Sequence, residues 1–264
     1  MDAEIRQAYG RDGAVFLPGV FDAAALADAQ AAYDWSLAHP GPGATKFAQH
    51  SDATFYNDLY NPDCLTGYRD MLLRSPLPAL LAQLWGAPEV WFMYEQVFLK
   101  EGGQSRRTPW HQDSSYLAIA GDHLAVAWIT FDPVEQADSL EFVRGSHKGV
   151  LFNGSRFELG DDTAPLYPDS ELPRMPDIEA MRSDYDLVSW AVQPGDLVLF
   201  HPATLHGGAP THPGKRRRTL TLRFFGADAV YDPRPGRPGP RVSGFHDRMK
   251  PGDPFRDPSF LKLS

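Results

Sequence analysis

From residue 90 onward the chain consists of short apolar segments separated by Gly, Pro and Asp, and this pattern restricts the possible folds more than any other feature. Six segments have the composition of β-strands: 90–100, 123–131, 139–144, 187–192, 196–201 and 216–226. Many short strands with turn residues between them are typical of antiparallel sandwiches and barrels. The sequence therefore predicts a mainly β fold.

The preceding part of the chain instead favours helices. Asp22 is a good N-cap for an alanine-rich stretch, which the Pro-Gly-Pro-Gly run at 40–43 would end. Ser75 and Pro76 would begin a second helix that ends at Gly86. We expect both helices to pack on the outside of the β structure.

Neither an internal repeat nor a linker divides the chain, so we predict one domain over 1–264. Three parts are expected in it: helices mainly within 1–90, a β core of about 90–228, and a Pro/Gly-rich extension at 229–264. The segment 153–186 is long for a plain connection, and loops of this length in compact domains are often functional. We expect it to shape a binding pocket together with loops 40–60 and 228–258.

The composition argues against several classes of partner. The formal net charge is -9, whereas proteins that bind nucleic acids usually carry a basic surface. The sequence shows neither a run of about 18 apolar residues nor the features of a signal peptide. The single cysteine, Cys64, cannot form an internal disulfide, which fits a reducing compartment. We therefore expect a cytoplasmic protein that binds neither nucleic acid nor membranes.

Two side chains of metal-ligand type lie two residues apart in the segment Thr-Pro-Trp-His-Gln-Asp. In an extended backbone, residues i and i+2 project to the same face, so His111 and Asp113 could reach one metal ion. This short motif is common by chance, and a metal site needs a third ligand. His206, which follows the predicted strand at 196–201 and precedes two glycines, is the best candidate.

Such a ligand set points to iron. Two histidines and one carboxylate on one side of a metal leave three adjacent positions open, as in non-haem Fe(II) oxygenases. Zinc is the alternative metal, but three-ligand zinc sites favour tetrahedral geometry and typically activate a water. His201 lies between an apolar strand and a proline, and we expect it to have a structural role.

A basic run from Lys215 leads into an apolar strand. It could be a solvated edge strand, where Lys and Arg discourage aggregation. Alternation puts two kinds of residue on opposite faces, however: Arg217, Thr219, Thr221 and Arg223 on one, and Leu220, Leu222 and Phe224 on the other. A strand covered on both sides would place an arginine inside the protein. A guanidinium binds a carboxylate through two parallel hydrogen bonds, so Arg217, with the hydroxyl of Thr219, is a candidate carboxylate site.

Together these motifs resemble the phytanoyl-CoA dioxygenase family of Fe(II)/2-oxoglutarate oxygenases. The likeness covers most of the chain: Asp12–Val20, His111–Asp113, Ser139–His147, Pro194–His201, and His206 followed eleven residues later by Arg217. The combination is specific, although each motif alone is not. The resemblance implies a double-stranded β-helix, or jelly roll, with the N-terminal helices packed outside.

The resemblance also implies a chemistry. His111, Asp113 and His206 would hold Fe(II), and Arg217 would bind the distal carboxylate of 2-oxoglutarate. The implied reaction consumes O2 and 2-oxoglutarate, releases succinate and CO2, and oxidises a C–H bond of a small organic metabolite or natural-product intermediate, by default through hydroxylation. Halogenases of the wider superfamily lack the carboxylate so that chloride can bind, and the presence of Asp113 therefore argues against halogenation.

Gln96 and Trp128 are further co-substrate positions implied by the resemblance. Packing in the core is an equal alternative for Trp128. Alternation places Gln96 on one face of its strand with four other residues: Phe92, Tyr94, Phe98 and Lys100. Some relatives have a hydroxyl residue two positions after the second histidine, where this chain has Gly208, and Thr219 could supply that hydrogen bond instead.

The main substrate is a small molecule that the sequence does not identify. Four residues near the metal motif or on the strand of Gln96 could contact it: Phe98, Arg107, Trp110 and Tyr116. Two other functions remain open. One is a non-catalytic jelly-roll binding protein, and the other is a cupin-type hydrolase or lyase that uses zinc or manganese.

Overall fold

The structure is a computed structural model that describes residues 2–47, 54–101, 107–158, 160–212, 214–236 and 238–264. Within these residues there are five α-helices: α1 Ala3–Asp12, α2 Ala23–Ala38, α3 Leu65–Arg74, α4 Leu77–Trp85 and α5 Phe245–Arg248. The same residues contain fourteen strands: β1 Ala14–Leu17, β2 Thr45–Phe47, β3 Thr54–Leu59, β4 Trp91–Glu101, β5 Thr108–His111, β6 Ile119–Ala120, β7 Leu124–Thr130, β8 Leu140–Val143, β9 Leu187–Ser189, β10 Leu197–Phe200, β11 His206–Gly208, β12 Arg217–Phe225, β13 Val230–Tyr231 and β14 Leu261–Lys262. All six strands predicted from the sequence are present, and the mainly β class is confirmed.

Two antiparallel sheets form the predicted jelly roll. The larger sheet has the strand order β1-β10-β7-β12-β4-β3-β2, with β14 paired to β4. The smaller sheet has the order β5-β11-β8-β9, and β13 pairs with β6 separately. Neighbouring strands such as β1 and β10 are far apart in sequence, as expected when the chain passes repeatedly between two facing sheets.

The larger sheet is covered on both faces. On its outer face, Leu220 of β12 packs in one apolar cluster with Tyr33 of α2 and Leu81 of α4. On its inner face, Trp128 of β7 packs in another cluster with Phe142 of the smaller sheet. Strand β7 is consequently buried at every position. Full burial of a side chain such as Val, Leu or Ile contributes about 1.5–3 kcal/mol to the free energy of folding. Because both faces of β7 are covered, apolar residues are favoured at every position, and the strand is a continuous apolar run.

Local signals explain where the helices begin and end. Asp22 caps α2 by accepting a hydrogen bond from the N–H of Ala25 at 2.8 Å, as predicted. Gly86 ends α4 in the left-handed conformation, with φ of 66°. The sequence analysis missed α1, which is short and polar, and α3, which has no side-chain cap. No helix in the described part of the chain is long and apolar enough to cross a lipid bilayer.

Some segments expected to be loops contain strands. Residues 40–60 contribute β2 and β3, which extend the larger sheet beyond β4. Strands β5 and β11 were not predicted, because three or four residues are too few to show an alternating pattern. The described residues of 153–186 contain no named strand and no helix beyond a short 3-10 turn, so this long loop is present as expected.

An irregularity in β4 changes the predicted face of Phe92. Arg223 of β12 pairs with Tyr94, but Phe224 pairs with Phe92, which leaves Met93 as an extra residue on β4. Such a bulge interrupts the alternation of side chains. Phe92 therefore packs with Phe224 in the cluster that contains the helices, which corrects the face predicted for it.

The Pro/Gly-rich extension packs against the β core. Phe245, Phe255 and Phe260 form an aromatic cluster with Trp91 and Phe225 of the larger sheet. The ring centroids of Phe225 and Phe255 are 5.1 Å apart, and those of Phe225 and Phe260 are 5.2 Å apart. Strand β14 pairs with the start of β4. Apolar contacts and backbone hydrogen bonds therefore both hold the extension in place.

Glu95 of β4 is a buried carboxyl group that predicts a pH dependence of stability. Its Oε1 accepts a hydrogen bond from the N–H of Asn61 at 2.9 Å, and burial raises its pKa from 4.5 to about 7. The folded protein thus holds this proton more tightly than the unfolded chain. The resulting stabilisation is complete below pH 4.5 and is lost as the pH rises through 7. We expect Glu95→Gln to raise the free energy of unfolding at about pH 8 by up to about 3 kcal/mol.

Urea unfolding of both proteins at about pH 5 and about pH 8 measures this effect. The advantage of Glu95→Gln over the wild type should be larger at the higher pH. Glu171→Gln, which removes a carboxylate from an exposed position, is the matched control and should follow the wild type at both values. An equal difference between Glu95→Gln and the wild type at the two pH values would contradict the prediction.

Candidate active site

Three side chains of metal-ligand type converge between the two sheets. Strands β5 and β11 pair with His111 directly opposite His206, and the centroids of the two rings are 4.2 Å apart. Asp113 begins the 3-10 turn that follows β5. Its Oδ1 lies 3.4 Å from Nε2 of His111 and 3.9 Å from Nε2 of His206. Ligand atoms of the three residues all lie within 4.8 Å of one another, so a single ion can contact them all.

Backbone carbonyls hold both imidazole rings. Nδ1 of His111 donates to the carbonyl oxygen of Pro109 at 2.8 Å, and Nδ1 of His206 donates to that of Thr204 at 2.9 Å. These contacts leave the lone pair of each Nε2 directed toward Asp113. Burial and the nearby His111 lower the pKa of His206 to about 3, so its ring is neutral, as a metal ligand must be.

Arg223 of β12 fixes the orientation of Asp113. Its Nε and Nη2 donate to Oδ2 of Asp113 at 3.1 and 2.8 Å, so Oδ1 is left facing the histidines. Burial opposes ionisation of Asp113, but the positive charge of Arg223 outweighs it and holds the pKa of this carboxyl group well below its usual range. Arg223 also donates to Gln96 at 2.8 Å, and Gln96 in turn donates to Asn57 at 2.9 Å.

A cavity of about 1400 Å³ extends from the three ligands between the sheets. Its walls include strands of both sheets and described residues of loops 153–186 and 228–258. Asp113 is the one acidic residue in the described lining, whereas six lining residues are cationic: Lys46, Lys100, Arg107, Arg217, Arg223 and Arg241. The cavity is therefore positively charged in a protein whose formal net charge is -9, which favours anionic ligands.

Arg217 of β12 is buried in this lining. Its guanidinium donates to the backbone oxygens of Asp138 and Ala209, the latter at 3.2 Å. Among the residues that the structure describes, none places a carboxylate within ion-pair distance of it. Burial lowers the pKa of Arg217 to about 10, so the group stays charged at neutral pH. Burying a charge without a counter-charge is costly, and an anionic ligand would offset that cost.

The neighbouring arginines of β12 already have carboxylate partners. Arg218 points to the opposite face of the strand, where its Nη2 donates to Asp132 at 3.0 Å, and Arg223 is paired with Asp113. Lys100 of β4 is the residue directly opposite Arg217 in the strand register, and it also lines the cavity. Burial and the charge of Arg217 lower the pKa of Lys100 well below its usual range. A carboxylate bound at this end of the cavity would therefore pair with Arg217 and favour the charged form of Lys100.

The remaining co-substrate candidates also line the cavity: Gln96, Trp128 and Thr219. Thr219 lies on the same face of β12 as Arg217, as alternation predicted. Thr221, which had no predicted role, is paired in register with both Gln96 and Trp128. Its hydroxyl is buried and has no hydrogen-bond partner among the described residues. The strip along β12 therefore offers two threonine hydroxyls to a ligand.

Three of the four tentative substrate residues line the cavity: Phe98, Arg107 and Tyr116. Trp110 does not, because it precedes His111 on β5 and so faces the other side of the strand. There its indole donates to Glu179 at 3.1 Å and packs beside Met175 and Ile178. Trp110 is a packing residue, which corrects its assignment as a substrate contact.

His201 has the structural role that we expected. Its Nε2 donates to the carbonyl oxygen of Gly121 at 3.1 Å, and its Nδ1 accepts from the N–H of Ala203 at the same distance. Burial lowers its pKa to about 4, so the ring is neutral. Both ring nitrogens are used by the backbone, and neither is left for a metal.

The sequence analysis gave no site role to two cavity residues, Lys100 and Arg223. A signal was present, since alternation had placed each on the same strand face as an assigned residue, Gln96 or Arg217. To decide which arginine of β12 is available to a ligand, however, one must know which carboxylate each of them contacts. Those carboxylates are far away in sequence, so the choice depends on the tertiary structure.

The model of the phytanoyl-CoA dioxygenase family matches residues 9–219. The match covers well over half of the chain and includes the three converging side chains and Arg217. The chain belongs to the phytanoyl-CoA dioxygenase family. Membership confirms the resemblance found in the sequence motifs.

Two curated relatives of this phytanoyl-CoA dioxygenase family member illustrate the extent of the likeness. A probable alpha-ketoglutarate-dependent hypophosphite dioxygenase of Stutzerimonas stutzeri is 28% identical over 121 residues, which are 46% of the chain and 40% of the relative. The peroxisomal phytanoyl-CoA dioxygenase of Homo sapiens is 24% identical over 170 residues, which are 62% of the chain and 48% of the relative. The chain thus spans about half the length of the curated relatives it matches.

Solved structures share the fold of this family member over nearly its whole length. The carbocyclase SnoK from nogalamycin biosynthesis has a TM-score of 0.70 at 20% identity and covers 100% of this chain and 97% of its own. The epimerase SnoN, in complex with Fe3+, alpha-ketoglutarate and nogalamycin RO, has a TM-score of 0.68 at 20% identity, with 99% and 98% covered. Likeness at this identity establishes the jelly-roll fold alone.

Proposed function

We propose that this protein is an Fe(II)/2-oxoglutarate-dependent dioxygenase that oxidises a C–H bond of a small organic molecule, by default through hydroxylation. The reaction would convert 2-oxoglutarate, O2 and R–H into succinate, CO2 and R–OH. The observation that carries the proposal is the convergence of His111, Asp113 and His206 in one cavity with the buried guanidinium of Arg217, which has no carboxylate partner in the described residues. The family and the relatives named as dioxygenases support it.

The donor atoms suit Fe(II). Two neutral imidazole nitrogens and one carboxylate oxygen are the ligands typical of non-haem iron oxygenases. Bound Fe(II) would supply the activation of O2 that is coupled to decarboxylation of the oxoacid. The protein supplies fixed donors: backbone carbonyls hold both rings and Arg223 holds Asp113. Because Asp113 is present, halogenation is not part of the proposal.

Arg217 would bind the distal carboxylate of 2-oxoglutarate in this scheme. Lys100, opposite Arg217 on the neighbouring strand, would add a second positive charge. Thr219 would offer a hydroxyl from the same face of β12, in place of the hydroxyl absent at Gly208. Gln96 and Trp128 would complete the pocket, and both line the cavity.

We extend the proposal to the organisation of the protein. The 264 residues would act as one catalytic domain, because the extension at 229–264 packs on the same sheet as the N-terminal helices. The ligand would be a small molecule rather than nucleic acid or a membrane. A cytoplasmic location is in keeping with the single, buried cysteine.

The two other functions that fit the fold predict different behaviour. A zinc or manganese hydrolase or lyase would bind metal but would not convert 2-oxoglutarate. A binding protein without turnover would not convert 2-oxoglutarate and would not need a metal. The proposal predicts that purified protein, reconstituted with Fe(II) under argon, forms succinate from 2-oxoglutarate after O2 is admitted.

Metal analysis and a succinate assay test this prediction together. Succinate should form with Fe(II) and not with Zn(II) or Mn(II), and omission of O2 should prevent it. Even without its main substrate, an enzyme of this type is expected to show slow uncoupled turnover. Stoichiometric Fe(II) binding without any conversion of 2-oxoglutarate would contradict the proposed function.

A further inference from the structure

One wall of the cavity consists of two stacked tyrosines with an arginine at each end. The Arg223 guanidinium lies 4.6 Å from the ring centroid of Tyr94, and the rings of Tyr94 and Tyr60 stack at 3.9 Å. Arg241 lies 5.5 Å from the ring centroid of Tyr60. Because Arg223 also contacts Asp113, this wall runs from a candidate metal ligand to Arg241, which is exposed.

A second group of rings adjoins the candidate metal ligands from a different loop. The ring centroid of Phe157 lies 5.4 Å from that of His111 and 6.1 Å from that of Tyr116. The Phe157 and Tyr116 rings are stacked, with an interplanar angle of 12°. The Phe157 side chain is large and apolar, yet it is 40% exposed. A substrate ring placed in the cavity would cover the Phe157 ring, and both the burial of that ring and its stacking on the substrate would favour binding.

The backbone at Tyr60 and Phe157 is strained. Their φ angles are 59° and 56°, and in the described part of the chain they are the two non-glycine residues with positive φ. Such conformations are unfavourable for an L-residue and tend to occur at functional sites. Both residues line the cavity, one from each aromatic group. Gly239 makes room for this arrangement, since a Cβ there would overlap the Tyr60 hydroxyl.

The charge partners of Arg241 differ from those of other cations in the described lining. Arg107, another cation of the lining, pairs with Glu141 and Glu179. No carboxylate of the described residues lies within ion-pair distance of Arg241. Arg217 and Lys100 would be used by 2-oxoglutarate, which leaves two exposed cations of the lining, Lys46 and Arg241. Arg241 is the one that contacts the tyrosine wall, through Tyr60, so it is placed to attract a second anionic group beside that wall.

We propose that the main substrate is an anionic, ring-bearing small molecule whose ring contacts Tyr60 and Phe157 and whose carboxylate or phosphate binds Arg241. The proposal rests on the proposed function in one respect, namely that the cavity is a substrate site. It goes beyond that function in naming two properties of the substrate: a flat ring and a negative charge. The two properties depend on different side chains and can be tested separately.

Binding measurements with simple probes test the proposal without turnover. The probes are 2-naphthoate, 2-naphthyl phosphate, the neutral 2-naphthamide, and hexanoate, which is an anion without a ring. Each is titrated by calorimetry into protein loaded with Zn(II) and 2-oxoglutarate. We expect one or both naphthyl anions to bind at least about tenfold more tightly than naphthamide and than hexanoate. The comparison of carboxylate with phosphate identifies the anionic group that fits.

Two variants separate charge from ring recognition. Arg241→Gln should abolish the preference for naphthyl anion over naphthamide. Phe157→Ala should weaken all three naphthyl probes by roughly 2- to 10-fold and leave the preference for charge intact. Arg248→Gln and Leu73→Ala are the matched controls, because these exposed residues lie outside the cavity lining, and both should bind as the wild type does.

Equal binding of naphthyl anions and naphthamide, an unchanged preference in Arg241→Gln, or no saturable binding of any naphthyl anion would overturn the proposal. The succinate assay keeps this outcome distinct from the fate of the proposed function. Succinate formation without selective probe binding would reject the substrate class alone. Selective probe binding without conversion of 2-oxoglutarate would reject the dioxygenase activity and keep the ligand site.

Discussion

Replacing Asp113 with alanine is expected to abolish Fe(II)-dependent succinate formation. The carboxylate is one of three donors whose ligand atoms are close enough to contact a single ion between the sheets. No other acidic residue in the described lining could take its place. Loss of residues that merely support metal ligands typically costs 10- to 100-fold in metal affinity or activity. Loss of Asp113 itself should therefore exceed about 100-fold. Metal content after Fe(II) reconstitution and the rate of succinate formation measure it.

The structure adds a cost in stability that the sequence alone did not suggest. From the motif, Asp113→Ala would be expected to leave the fold intact. Arg223, however, is buried and has Asp113 as its carboxylate partner. Breaking a buried ion pair by removing one member typically costs 3–5 kcal/mol. The alanine variant should therefore unfold at a lower urea concentration than the wild type.

Three further variants separate the catalytic effect from the structural one. Asp113→Asn keeps an oxygen that can accept from Arg223, and it should lose activity with a smaller loss of stability. Asp113→Ala combined with Arg223→Met removes both buried charges and should recover part of the stability without any activity. Asp132→Asn is the matched control, because Asp132 is a buried, arginine-paired aspartate outside the cavity.

Asp132→Asn should be destabilised but should still bind Fe(II) and form succinate. Full activity in Asp113→Ala would show that this residue is not a ligand. An inactive Asp132→Asn would show that activity reports the stability of the fold rather than the site.

The second large effect is expected from Arg217→Ala, which should raise the concentration of 2-oxoglutarate needed for half-maximal succinate formation. Truncating one partner of a buried, hydrogen-bonded charge pair costs about 2–5 kcal/mol, which corresponds to roughly 30-fold to more than 1000-fold in affinity. Arg217 has no competing carboxylate in the described structure, so this interaction energy is available to the co-substrate. The rate at saturating 2-oxoglutarate should change much less.

Selectivity for the distal carboxylate is the sharper readout. Wild-type protein should favour 2-oxoglutarate strongly over 2-oxobutyrate, an oxoacid that lacks the distal carboxylate, and Arg217→Ala should lose most of that preference. Arg218→Ala is the matched control, since Arg218 is the next residue of β12 but pairs with Asp132 on the other face. An unchanged requirement for 2-oxoglutarate in Arg217→Ala would move the carboxylate site to Lys100 or Arg223.

Much of the fold could be predicted from local pattern. The alternation in β12 put Arg217 and Leu220 on opposite faces, and the structure places one in the cavity and the other under the helices. A side-chain period of two survives wherever a strand is regular. It failed at Phe92, where an extra residue in β4 interrupts the alternation, and bulges of this kind leave no clear signal in one sequence.

The sequence by itself determined the mainly β class, the extent of its main strands and the three side chains that now lie within reach of one ion, because each leaves a local record in residue type and spacing. The jelly roll itself was implied by the resemblance to a known family. Tertiary structure alone decided which arginine of the inward face of β12 has no carboxylate partner in the described residues, that Trp110 faces away from the cavity, and that Tyr60 and Phe157 adjoin the site. These features depend on contacts between residues far apart in the chain. Charge pairing and burial act through space, so a linear pattern does not encode them residue by residue.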